Sequence, residues 1–97
     1  MKALLMIEIL LVGKGGRFTT MAKQLPASVV PASGIEIEDS VWGDNAKTPS
    51  RIVLNLAEDE YTLFFKPDEG KTPEACKQLV ETYHAHGWKR LSELFDR

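Results

Sequence analysis

The longest apolar stretch of the chain is residues 3–12, Ala-Leu-Leu-Met-Ile-Glu-Ile-Leu-Leu-Val, where Glu8 is the one polar side chain. As a strand it puts Ala3, Leu5, Ile7, Ile9 and Leu11 on one face and Leu4, Met6, Glu8, Leu10 and Val12 on the other. A strand apolar on both faces belongs in the middle of a sheet, covered from both sides. Gly13-Lys14-Gly15-Gly16-Arg17 then ends it in a turn. Residues 18–25 fit either a returning antiparallel strand or a short helix, and Pro26 closes either one. Residues 26–34 carry two prolines and read as an extended loop.

Alternation resumes at 35–42, with Ile35, Ile37 and Val41 on one side and Glu36, Glu38 and Ser40 on the other, the mark of a half-buried strand. After a polar loop, 51–57 reads as the next strand, with Ile52, Leu54 and Leu56 inward. A short Glu58-Asp59 link leads to a strand at 61–65. Three strands in a row predict an antiparallel meander over 35–66.

The period changes after residue 71. Thr72-Pro73-Glu74 is a helix start, with a hydroxyl at the N-cap, proline at the first position and an acid in the first turn. Cys76, Leu79, Val80 and Tyr83 follow at i, i+3, i+4 and i+7 as one apolar stripe. Gly87 is a natural left-handed C-cap, and Trp88 can fold back on the last turn. This predicts a helix over about 73–86, while residues 89–95 fit a short helix or an edge strand. The expected fold is one α+β domain over 1–97. It has an antiparallel sheet of four to five strands, a central strand at 3–12 and one main C-terminal helix.

Such a helix is about 21 Å long and 10 Å wide, enough to cover one sheet face only in part. Alternation sends Trp42, Val53, Thr62 and Phe64 to the face opposite the helix, where part of the first strand joins them. An apolar patch of that size calls for a cover. The expected cover is a second copy in a two-fold dimer centred near Trp42 and Phe64, with Glu36, Glu38 and Lys66 as a polar rim. A curled sheet with 18–30 as a lid is the alternative.

Composition narrows the function classes. A net charge of −2, with 12 cations scattered among 14 acids, gives little reason to expect a nucleic-acid partner. One cysteine excludes an internal disulfide framework and fits a reducing, cytoplasmic setting. Lys2 and the apolar run outline a signal peptide, but Glu8 interrupts it and no small-x-small site follows directly. The run is also shorter than the roughly 20 residues a bilayer span needs. No membrane association is expected.

Candidate chemistry is sparse. The glycine turn with Lys14 and Arg17 follows an apolar strand as a phosphate loop does. It lacks the G-x-x-x-x-G-K-[ST] pattern, puts Phe18 where a dinucleotide loop needs a small residue, and precedes no long helix. A solvated hairpin turn accounts for it, with an anion contact as the sharper alternative. His84 and His86, two apart on a helix, point to different sides, and Cys76 lies two turns away on the apolar stripe. No metal, cofactor or catalytic group is expected from them. Glu8 needs a partner such as Lys66 or Arg51, or else a catalytic role with a raised pKa. Lys89-Arg90 beside Trp88 is the one basic-aromatic cluster.

Three functions follow, in this order. The first is a non-catalytic protein-interaction module that self-associates through its sheet. The second is a nucleic-acid binder using sheet aromatics and Lys89-Arg90. The third is a small enzyme or ligand binder around Glu8 or the glycine turn.

Overall fold

The computed structural model describes residues 1–13, 16–28 and 31–94. Its elements in chain order are β1 (Lys2–Leu11), β2 (Gly16–Pro26), β3 (Arg51–Asn55), β4 (Glu60–Phe64), β5 (Asp68–Gly70), α1 (Pro73–Ala85), β6 (Lys89–Arg90) and α2 (Leu91–Leu94). The fold is α+β, a mixed, mostly antiparallel six-stranded sheet with one main helix late in the chain. The strand order is β3-β4-β1-β2-β6, with β5 also on β1.

β1 is central, as its two apolar faces require. On one side it pairs antiparallel with β2 along its whole length, with a register shift between Ile9 and Leu10. On the other side β4 pairs parallel with Lys2 to Met6 and β5 parallel with Ile9 to Leu11. Residues 18–25 are therefore strand. Pro26 ends β2 on its outer side, where the short β6 pairs only Met21 and Ala22 and a missing N–H disturbs no ladder. Residues 89–94 divide between the two alternatives, two in β6 and four in α2; residue 95 lies outside the described residues.

The meander begins later than its alternation suggests. Residues 35–42 are not a strand: one bridge joins Ile37 to Lys47, and Ser40–Trp42 form a 3-10 turn. Asp39 is the cause. Its side chain accepts from the Val41 N–H at 3.1 Å, a local bond that competes with any ladder. What remains of the meander is the β3–β4 hairpin.

The odd-numbered face of β1 carries the core. Ala3, Leu5, Ile7 and Ile9 pack with Met21, Tyr61, Leu63 and Phe65 from the sheet and with Cys76, Val80 and Tyr83 from α1. Trp42 and Trp88 complete it. Ring centroids lie 4.9 Å apart for Trp42–Phe65, 5.7 Å for Trp42–Trp88 and 5.0 Å for Tyr83–Trp88, tilted or edge-on as ring quadrupoles favour.

Polar side chains pin the 31–50 loop over these rings. Trp42 Nε1 donates to Tyr83 Oη at 3.0 Å, which donates to Asp68 Oδ2 at 2.6 Å. Burial, and then the Asp68 carboxylate, push the Tyr83 hydroxyl well above its ordinary range. Lys23 Nζ meets Asp39 Oδ1 at 2.8 Å, and Trp88 Nε1 donates to Asp39 Oδ2 at 3.1 Å.

The helix termini follow their sequence signals. Thr72 Oγ1 accepts from Ala75 N at 3.1 Å, Pro73 opens α1, and Gly87 has φ +89°. A Cβ at Gly87 would meet Lys23 Cε at 3.5 Å, an ordinary contact. Gly87→Val should therefore cost about 1–3 kcal/mol through backbone strain alone. Chemical denaturation measures it, and an unchanged midpoint would mean that the helix end does not depend on the left-handed residue. Among the described residues no helix is long and apolar enough to cross a membrane.

Candidate interaction surface

The helix settles which face is covered. α1 packs over β1, β2, β5 and β6 on the odd-numbered side of β1. The other face, expected to need a second cover, carries no second sheet or long helix among the described residues; Leu91 of the short α2 stands beside Met6, Glu8, Thr20 and Phe64 on its β2 side. Register places Leu4, Met6 and Glu8 of β1 there, with Thr62 and Phe64 of β4 and Arg51, Val53 and Asn55 of β3.

Long polar side chains roof much of this face. Gln24 Nε2 of β2 donates to Glu60 Oε2 of β4 at 2.9 Å, reaching across β1 above Leu4, which is 5% exposed. Arg17 lies 3.7 Å from Glu8, so the partner of Glu8 comes from its own hairpin rather than being Lys66 or Arg51. Arg51 places its guanidinium 5.3 Å from the Phe64 ring centre. Between the Glu8–Arg17 pair and the Arg51–Phe64 pair runs an open groove of about 390 Å³, floored by Met6 and Thr20. Arginine stems over apolar surface are an ordinary way to keep such a face wet.

Exposed aliphatic side chains stand close together at the β3 edge, whereas Val12, Leu25 and Ile35 are exposed singly elsewhere. Val53 is 36% exposed on the open face, Leu54 44% on the helix-side face, and Leu56 81% in the turn that follows. Leu54 and Leu56 were expected inward. Leu54 is not covered because β3 lies two strands from β1, about 10 Å away, beyond the elements that α1 packs upon; Leu56 is not covered because the strand ends at Asn55 and leaves it in the turn. The sequence signal for this was the width of one helix against a sheet of several strands.

Each remaining candidate has a definite place. Val53 and Phe64 lie on the face opposite the helix, as alternation predicts. Trp42 does not: it is in the core, because the 3-10 turn replaces the strand that would have pointed it outward. Lys14 lies outside the described residues. Arg17 is engaged by Glu8. Lys89 and Arg90 form the exposed β6, but Trp88 beside them is buried in the core, so the cluster offers no aromatic surface for a base to stack upon.

Cys76, His84 and His86 are not brought together. Cys76 is buried against the Leu10 carbonyl, His84 Nε2 faces Glu93 at 3.2 Å, and His86 Nδ1 faces Ser40 Oγ at 2.8 Å. Backbone donation from Arg90, and then His84, hold the Glu93 carboxyl below its usual range. Among the described residues no three metal-ligating side chains converge.

No family model matches the chain, and neither a curated protein nor a solved structure matches it significantly.

Proposed function

We propose that the chain is a non-catalytic protein-interaction module that works through the β3 side of its sheet. The observation that carries this reading is an outermost strand with exposed aliphatic side chains on both faces and in its turn, Val53, Leu54 and Leu56. An unpaired edge offers a partner backbone hydrogen bonds, and the flanking side chains give it something apolar to bury. Phe64 under Arg51 continues the surface onto the open face. A reducing cytoplasm suits the one cysteine.

A photo-crosslinking amino acid at Leu56 tests the reading in intact cells. It should give discrete protein adducts that vanish when Leu54 is changed to lysine. The same probe at Glu81, exposed on α1, should give none. Equal labelling at the two positions, or none at Leu56, would defeat the proposal.

A further inference from the structure

The two ends of the sheet are built differently. At the β2 end, β2 finishes in Pro26, and the outermost strand is only Lys89–Arg90, turned at once into α2. A very short outer strand, adjacent cations and a proline are the devices that discourage edge pairing. β3 has none of them in its interior. Its residues 52–54 are Ile-Val-Leu, and its one cation, Arg51, lies over the Phe64 ring.

We infer that β3 pairs antiparallel with β3 of a second copy, about a two-fold axis at Val53, so that one sheet runs through both molecules. This rests on the interaction reading above and names its partner. The register follows from two constraints. Directly opposite residues of an antiparallel pair share a face, so the paired numbers must have the same parity. The strand runs from Arg51 to Asn55, so an axis at Val53 alone pairs every residue of it. Val53 then meets Val53 of the second copy, Ile52 meets Leu54, and Arg51 meets Asn55. No like charges oppose each other, and the aliphatic pairs fall on both faces.

The arrangement is closed, since both copies use the same edge and a two-fold contact occupies it in each. It is also small. Five paired residues span about 17 Å, and with the flanking side chains the contact stays below about 1,000 Å², the size of weak, concentration-dependent associations.

Light scattering and sedimentation from about 5 μM to about 1 mM should show a monomer–dimer equilibrium. Val53→Lys and Val53→Glu each place like charges across the axis, and each should weaken self-association at least about tenfold. Val53 is partly exposed, so both variants should keep the wild-type circular dichroism. An equimolar mixture of the two should associate at least as well as wild type, because lysine then faces glutamate. A monomeric wild type at about 1 mM overturns the inference, and so does a dimer indifferent to both charges or a mixture that fails to recover. Adducts of other proteins at Leu56 would then leave the interaction reading standing, whereas no adduct at all would remove both.

Discussion

Asp39→Ala should destabilise the protein by about 3 kcal/mol in chemical denaturation, the lower end of what breaking a buried charge pair costs. The Asp39 carboxylate is 6% exposed and pairs with Lys23. It also accepts from Trp88 Nε1 and Val41 N, each at 3.1 Å. Alanine leaves the buried Trp88 N–H without its acceptor, uncaps the Ser40–Trp42 turn, and leaves the Lys23 ammonium with the His86 carbonyl at 2.9 Å. Tryptophan emission should shift to the red as the loop lifts from Trp42 and Trp88. A loss under about 1 kcal/mol would show that the loop is held by its apolar contacts.

The same carboxylate sets a pH dependence. Burial acts to raise its pKa, but hydrogen bonds from Lys23, Trp88 and Val41 outweigh it and hold the group below the ordinary 3.8. A carboxyl lowered on folding adds stability above its unfolded pKa and loses that contribution as the pH falls through the folded value. The wild type should therefore lose stability below about pH 4. Asp39→Asn, less stable at neutral pH, should lack this part of the acid loss.

Gly70→Ala should cost about 2–3 kcal/mol, the upper part of the range for forcing atoms into a filled site. A Cβ at Gly70 would stand 2.6 Å from Cys76 Sγ, 2.9 Å from Cys76 N and 3.2 Å from Cys76 Cα. The sulfur can be removed, but the backbone of α1 cannot. Cys76→Ala alone, deleting a buried thiol, should lose about 1 kcal/mol. The double variant should remain close to the sum of the two. If instead it falls back to the level of Cys76→Ala, the conflict lies with the sulfur alone, and α1 is not seated backbone-to-backbone on β5.

What was legible in the sequence came from residues whose environment is set locally. The 3–12 run required a central strand because only Glu8 breaks it, and β1 is central. Thr72-Pro73 and Gly87 bracket α1 because capping needs only neighbours in the chain. Val53 and Phe64 were sent to the correct face because parity holds inside a real strand. Trp42 was not, because the alternation of 35–42 imitates a strand that Asp39 caps into a turn. The parallel partner of β1 was hidden for another reason: it depends on where a long loop delivers the chain, which no local pattern records. The exposure of Leu54 depends on the placement of α1, again a non-local fact.

The pairing of β1 also fixes an order of assembly. Its contact with β2 is a hairpin and closes on the microsecond scale of local structure. Its contact with β4 joins Lys2 to Glu60 and must wait for a far larger loop to close. As the chain leaves the ribosome, its most apolar strand therefore has one edge satisfied and the other bare until residues 60–70 arrive. The whole stretch from Pro26 to Glu60, β3 included, sets the length of that delay.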